Sequence, residues 1–510
     1  MWLTVLVACL SLRLLVVAIA HISRWRTRRR YGVAPGATMV GFFHPFCAGG
    51  GGGERVLWRA VRTLSHLPKD LDTPLHVLVY TGDIRMKPEE ILSGVARQFE
   101  ISIDSASSTV PVSFVYLRGR GLLDASLYPV LTMLAQSMAS VVLAAEALVR
   151  GTPDVFVDTT GFAFSFPVAW FAGCSVGAYV HYPTISTDML SRVRDQRPSH
   201  NNSSWITSSV TVSQAKLLYY RAFARLYGIA GGCFASRVMV NSSWTRGHIA
   251  ALWKPTPRPT VVFPPCDTSE LETLPIDDGR RERCALSVGQ FRPEKDHALQ
   301  IRALAALTTL ANSNSQHPAS FKDVRLVILG SCRNEGDRAV LKKTQALAVE
   351  LGVEERVEFV VNCSFDELKA WLGRASVGLH TMWNEHFGIG VVEMMAAGVV
   401  TIAHRSGGPA ADIVVPLPDG RITGFLAETP REYAEAMSRI FSGEAVSRED
   451  GKKGVFSSGA VRVAGRESAR RFSNEVFDRA FAAEFVELLQ NWRSGSLPFS
   501  LFRRKQSKEE

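Results

Sequence analysis

V-G-L-H-T-M-W-N-E-H-F-G-I-G-V-V-E-M-M-A-A-G, residues Val377 to Gly398, is the stretch on which the fold turns. A short apolar run ends at Thr381, a polar loop follows, and Gly388-Ile389-Gly390 opens a helical pattern. Strand, loop and helix in that order form the unit of a doubly wound parallel sheet, and the first-turn amides of such a helix are free to meet an anion. Glu393 lies inside the helix, placed to accept hydrogen bonds from ribose hydroxyls at the same mouth. Glu385 sits in the loop, where a sugar carried on a phosphate would lie. The spacing of the two glutamates carries little alone, because Glu350/Glu358 and Glu467/Glu475 repeat it.

The same unit recurs on either side. Strand-like runs stand at 39–43, 76–81, 113–117, 154–159 and 178–182, then at 237–241, 285–289, 325–330, 357–361, 377–381 and 399–403. They are short, apolar on both faces and separated by helical stretches, as in parallel sheets covered on both sides. A chain of 510 residues exceeds what one core normally serves. An α/β protein of two Rossmann-like domains is therefore expected, with prolines and charges between Pro264 and Arg283 marking the boundary.

Two further loops bear on chemistry. In G-Q-F-R-P-E-K-D-H, Gly289 to His297, Arg292 and Lys295 follow a strand end in the domain that holds Glu385. Cations there can neutralise a leaving diphosphate, although two basic residues on a turn are also what solvation alone would place there. Combined with Glu385 and Glu393 they read as a nucleotide-diphosphate clamp. Near the other end, Gly49 to Gly53 are five consecutive glycines. Gly53 is followed by Glu54-Arg55 where a Walker loop needs Lys-Ser or Lys-Thr, and Glu54 stands where G-x-G-x-x-G needs its third glycine. The loop is thus a device for close backbone approach of another kind.

The net charge of +10 comes from 58 basic against 48 acidic residues, and part of it is local. Arg24, Arg26, Arg28, Arg29 and Arg30 form one run, and Arg503, Arg504, Lys505 and Lys508 crowd the tail. The eight cysteines include no C-x-x-C pair, which argues against zinc and a disulfide framework and fits a reducing compartment. Residues 2–22 are apolar over about the ~20 residues that a spanning helix needs. Arg13 within them costs roughly 2.5–3.5 kcal/mol unless it snorkels. With the arginines after the apolar run, the expectation is an uncleaved anchor that keeps the following chain cytosolic; a cleaved signal or an interfacial helix are the rivals, as is whether residues 3–22 fully span. Leu122–Leu148 reads as a core helix able also to face lipid, and Phe162–Gly177 as a buried helix.

Glu385 and Glu393 with F-G-I between, R-P-E-K before and S-G-G-P at 406–409 resemble the retaining GT-B glycosyltransferases of family 4. With G-F-F-H-P-F-C-A-G-G-G-G-G-E-R-V-L-W, V-D-T-T-G-F-A-F-S-F-P, H-Y-P-T-I-S, V-N-S-S-W-T and P-P-C-D, the resemblance narrows to the dolichol-pathway α-1,2-mannosyltransferases and covers nearly the whole chain after the anchor. It implies a GT-B fold, with two Rossmann-like domains facing a cleft. The expected divisions are a membrane anchor at 1–23, a basic juxtamembrane linker at 24–37, an acceptor-binding domain at 38–275 and a nucleotide-sugar domain at 276–463. A helix at 464–492 would pack back toward the first domain, and 493–510 would be a basic tail.

The resemblance also assigns roles. His181 contacts the donor sugar, a packed strand-end histidine being the alternative. Arg292 and Lys295 bind phosphates, Glu385 the mannose hydroxyls and Glu393 the ribose. Gly388 and Ile389 offer backbone amides beside Phe387, and Gly50, Gly51 and Gly52 lie near the donor diphosphate. Gln290 stands where many members have Arg, which leaves the part played by Arg292 less fixed than that of Lys295. The implied reaction moves mannose from GDP-mannose to a dolichol-diphosphate oligosaccharide with retention, without metal or cofactor, and with two successive additions. No D-x-D follows a strand end; Asp277-Asp278 falls in the linker. Implied partners are the endoplasmic reticulum membrane and other mannosyltransferases of the pathway, not nucleic acid. The sequons at Asn202, Asn241 and Asn362 would then stay unmodified. The rivals are another GT-B sugar-nucleotide enzyme and a non-catalytic basic scaffold on membranes.

Overall fold

The computed structural model describes residues 2–494 apart from 68–73, 104–109, 195–209, 255–257, 278, 280, 314–320, 443–445, 448–452 and 455–456. The Asn202 sequon and the basic cluster at 503–508 lie outside the described residues. The chain divides into two compact units, one of Met1–Asn241, Thr245–Val262 and Asp478–Glu510, the other of Ser242–Trp244 and Phe263–Phe477.

In the first unit β1 (Thr38–Phe43), β2 (Leu75–Thr81), β3 (Val112–Tyr116), β4 (Val155–Asp158), β5 (Ser175–Val180), β6 (Arg237–Val240) and β7 (Thr260–Val261) form one parallel sheet in the order β3-β2-β1-β4-β5-β6-β7. Strands β1, β2, β4 and β5 are buried along their whole length, the reason they read as continuous rather than alternating apolar runs. The second unit repeats the plan with β8 (Glu282–Val288), β9 (Arg325–Gly330), β10 (Val357–Val361), β11 (Ala375–His380), β12 (Val400–His404) and β13 (Phe425–Ala427), in the order β10-β9-β8-β11-β12-β13. The expected runs are all strands. Strands β7 and β13, absent from the expected runs, are edge strands of two and three residues, too short to show a period.

Each order reverses once, between β1 and β4 and between β8 and β11. Connections diverge to opposite faces there and leave a crevice beyond the carboxyl ends of the strands. The glycine loop follows β1, and Phe43 at its root is in register with Asp158 at the end of β4. The Gln290–Lys295 turn follows β8, and the Thr381–Gly388 loop follows β11. Both sets of chemistry-bearing loops therefore sit at switch points.

The helices that matter to the first unit are α1 (Trp2–Arg30), α2 (Gly52–Leu64), α3 (Pro88–Phe99), α4 (Thr132–Arg150) and α5 (Ser165–Phe171). Residues 24–30, expected to begin a linker, instead continue α1, because two of their arginines are fixed by the unit itself. Arg24 donates to the carbonyls of Pro153, Ala172 and Gly173, and Arg28 pairs with Asp154 at 3.0 Å. Among the described residues α4 alone is long and apolar enough to cross a membrane, but Leu143, Ala144, Ala147 and Leu148 bury one side of it in the core.

The division falls at Val262–Phe263, upstream of the expected 275/276. Cys266 and Leu271 are buried in the second unit's core, so the proline-rich stretch is packed rather than free. Near the end, helix Ser458–Ala469 breaks at Arg470–Phe472 before Asn474–Arg493. Asp478 in that last helix accepts from Arg59 Nε (2.8 Å) and Thr63 (2.7 Å) of α2, and Leu488 rests on Gly177 of β5. The chain's end thereby closes the first unit.

Candidate active site

The second unit assembles its site on Glu385. Lys295 Nζ donates to Glu385 Oε2 at 2.6 Å, and His380 Nε2 lies 3.2 Å from the same oxygen. Burial pushes the Glu385 carboxyl up, but the ammonium and the imidazole together outweigh it and hold the group well below its ordinary value. The lysine is positioned from the strand side: Thr381 Oγ1 donates to Lys295 O at 2.8 Å and accepts from Gln300 Nε2 at 2.8 Å. The turn after β8 is thus tied to the end of β11.

The loop bearing Glu385 is gripped by S-G-G-P. Ser406 Oγ accepts from Asn384 N–H at 2.7 Å, and Gly408 N–H donates to Glu385 O at 2.8 Å. Gly407 has φ +63°, and a Cβ on it would stand 2.2 Å from Glu385 O, so glycine is required there twice over. Gly388, at φ +109°, turns the chain into helix Ile389–Ala396. Gly388, the residue before that helix, lies beside Glu385: a Cβ on it would stand 3.5 Å from Glu385 Cγ. Glu393 is half-buried one turn further on.

The other candidates part company. Arg292 does not join Lys295; its side chain is 42% exposed, with Nη1 3.8 Å from Glu294. The side chain of Phe387 is buried against Phe263 and Phe472, with ring centroids 5.7 and 5.4 Å apart, so only its backbone can meet a ligand. His380 went unread in the sequence. Its position as last residue of the strand before the loop was the available signal.

In the first unit the glycine run is packed closely by neighbouring side chains. None of the five has a positive φ among the described residues. Instead a Cβ on Gly50 would stand 1.9 Å from Gln98 Nε2 of α3, and one on Gly49 2.9 Å from Glu54 Oε1. Gly51 N–H, offered to a diphosphate by the sequence reading, already donates to Glu54 Oε2 at 2.7 Å. Glu54 Oε1 is 3.5 Å from His44 Nε2, and His44 Nδ1 is 2.8 Å from Thr159 Oγ1. Burial pushes the Glu54 carboxyl up, and the His44 and Gly51 contacts outweigh it. On the loop's other side Asp83 accepts from Ala48 N–H at 3.1 Å and pairs with Arg120, whose guanidinium lies over the Phe46 ring.

His181, just past β5, faces this loop: a Cβ on Gly53 would stand 3.6 Å from its Nε2 and 3.8 Å from His44 Cε1. The structure therefore brings His181, His44 and the start of α2 together. His44 and Glu54 are positioning residues that the sequence marked only by adjacency to β1 and to the glycines. Glu54→Ala is expected to cost about 1–2 kcal/mol and to speed amide exchange at 46–55 by roughly tenfold. Unchanged exchange would mean that Glu54 does not hold the loop.

Solved structures of similar fold include Anabaena HepE in complex with UDP and glucose, with 16% identity, a TM-score of 0.55 and coverage of 89% of this chain and 99% of that one. Another is the α,α-trehalose 6-phosphate synthase of Burkholderia multivorans, with 12% identity, a TM-score of 0.59 and coverage of 90% and 100%. These establish the GT-B architecture alone. Residues 37–253 match the family model described as ALG11 mannosyltransferase N-terminus, and 276–454 match glycosyl transferases group 1. The mouse protein named GDP-Man:Man(3)GlcNAc(2)-PP-Dol alpha-1,2-mannosyltransferase is 47% identical over 89% of this chain and 87% of its own length. The human protein of that name is 46% identical over the same shares, and the Xenopus laevis one 44% identical over 96% and 97%. On the match of its first unit and on relatives spanning nearly its full length, the chain belongs to the ALG11 mannosyltransferase family.

Proposed function

We propose that the chain transfers mannose from GDP-mannose to a dolichol-diphosphate-linked oligosaccharide, forming α-1,2 linkages with retention, in two successive additions. The observation that carries this reading is the Lys295–Glu385–His380 cluster beside the amino end of helix Ile389–Ala396, in a chain of this family. The helix end and Lys295 suit the donor diphosphate, and Glu393 suits the ribose. Glu385 is an ionised acceptor held rigid from four sides, suited to orient sugar hydroxyls. As the bond from C1 to the phosphate oxygen breaks, charge grows on the diphosphate, and Lys295 stabilises it. The acceptor hydroxyl attacks C1 on the same face and gives its proton to the departing phosphate oxygen.

The first unit would bind the acceptor, with His181 at the reacting sugar. Residues 2–22 would hold the protein as a single-pass anchor in the endoplasmic reticulum membrane, with the folded units in the cytosol. The burial of Asn241, whose Nδ2 donates to His181 O at 2.9 Å, agrees with the absence of a glycan at that sequon. Membrane attachment raises the effective concentration of a lipid-linked acceptor. Neither metal nor cofactor has a part in these steps. The test is transfer of radiolabelled mannose from GDP-mannose to a defined trimannosyl lipid-linked acceptor, with and without chelator. Product formation in both is expected. No product with any sugar nucleotide, together with salt-sensitive vesicle binding, would favour a scaffold instead; loss of product on chelation would overturn metal independence.

A further inference from the structure

The buried side of α4 has a counterpart. Met138, Val142 and Val149 are 52%, 55% and 73% exposed, and Ala145 is exposed between them. Spacings of four, three and four residues set them in one outward stripe. The charged side chains of the helix stand aside from it: Glu146 pairs with Arg150 at 2.8 Å and accepts from the amides of Arg118 and Gly119. A water-facing helix ordinarily turns polar residues outward, and an apolar patch this continuous marks a contact surface.

The stripe extends in two directions. Before the helix, Leu127, Val130 and Leu131 are exposed. At its other end α1 packs on α4 through Ser23, whose Oγ donates to Leu148 O at 2.9 Å. The outward residues of α1 there are Ile19, Ile22 and Trp25, followed by exposed Arg26, Arg29 and Arg30, with Arg29 over the Trp25 ring at 4.0 Å. An apolar face continuous with a mostly apolar N-terminal helix and ending in an aromatic and cations is complementary to an anionic lipid surface.

We propose that the outward face of α4, with the 127–131 segment before it, rests in the headgroup and acyl boundary of a phospholipid bilayer, as a membrane contact additional to α1. This deepens the reading of a membrane-held enzyme and rests on it. It also places the bilayer near the glycine loop. The 117–131 segment leaves the carboxyl end of β3, on the same side of the parallel sheet as the loop after β1, and Arg120 within it pairs with Asp83, which holds Ala48 N–H. A diphosphate anchored by a polyprenyl chain could then reach the first unit's switch point without leaving the membrane.

The test uses the full chain in phosphatidylcholine–phosphatidylinositol vesicles, with the photocrosslinker p-benzoylphenylalanine at Val142 or Val130, and at Ile19 and exposed Val349 of the second unit as references. Phospholipid adducts at positions 142, 130 and 19, at least tenfold above position 349, are expected. Adducts at 19 but none at 142 and 130 would overturn the proposal while leaving the α1 anchor standing. Adducts from 142 to protein would assign the face to another chain or segment. Absence of lipid at all three positions would remove the membrane reading altogether.

Discussion

Lys295→Met is expected to lower mannose transfer by roughly 10²–10³-fold, the loss typical of removing one preorganised donor from developing charge. The substitution keeps the length and apolar stem of the side chain and removes only the ammonium. It also takes the cation from the Glu385 carboxylate, which is 14% exposed and keeps His380 and the His386 N–H as partners. Some stability is therefore lost for a reason unrelated to catalysis. The double variant Lys295→Met/Glu385→Gln separates the two effects, because a neutral amide no longer needs the cation. Its melting temperature should recover most of what the single variant lost, while its turnover stays low. Recovery of turnover in the double variant would show that Lys295 acts only by holding Glu385, and the diphosphate role would fall.

The pair also leaves a signature in pH. The Glu385 carboxyl is held below its ordinary value of 4.5, so its contribution to stability is complete above that value and is lost as pH falls from there through the folded value. In Lys295→Met the carboxyl rises toward its ordinary value, so the acid-side decline should flatten. A decline as steep as in the parent protein would assign the acid sensitivity to other carboxylates.

Much of the architecture was legible because a parallel sheet covered on both faces writes itself as short apolar runs, and Val377–Gly398 carries the strand, the loop and the helix start in order. The switch points follow from strand order, which the runs alone do not give. What stayed hidden were the partners. Nothing in H-P marks His44 as a brace for Glu54, and nothing in L-H-T marks His380 as a contact of Glu385, because those distances exist only after strands that are far apart in sequence are neighbours. Gln98 and Glu54, which stand where side chains at 50 and 49 would go, stayed hidden for the same reason. R-P-E-K offers both Arg292 and Lys295 as cations, and the turn at Pro293–Lys295 brings the lysine to Glu385 while Arg292 lies by Glu294.

Gly407→Ala and Gly390→Ala are expected to separate a glycine demanded by the fold from one demanded by a ligand. At Gly407 an alanine would have to adopt φ +63° and place its methyl 2.2 Å from Glu385 O, a backbone atom that cannot swing aside. The loop from Asn384 to Gly388 must shift, breaking its grip on Ser406 and Gly408. A loss on the order of 3 kcal/mol follows from strain and overpacking together, and turnover should drop with it. Gly390 differs on both counts: its φ is ordinary, and a Cβ there meets nothing within 4 Å. In the first turn of a helix alanine is the better helix former, so Gly390→Ala should leave the melting temperature unchanged or raise it slightly. If donor phosphates seat on this helix end, the added methyl stands where they approach. The Michaelis constant for GDP-mannose should then rise about tenfold in a protein as stable as the parent. A Gly390→Ala protein with unaltered donor kinetics would move the diphosphate off the helix end and leave Lys295 to hold it by other means.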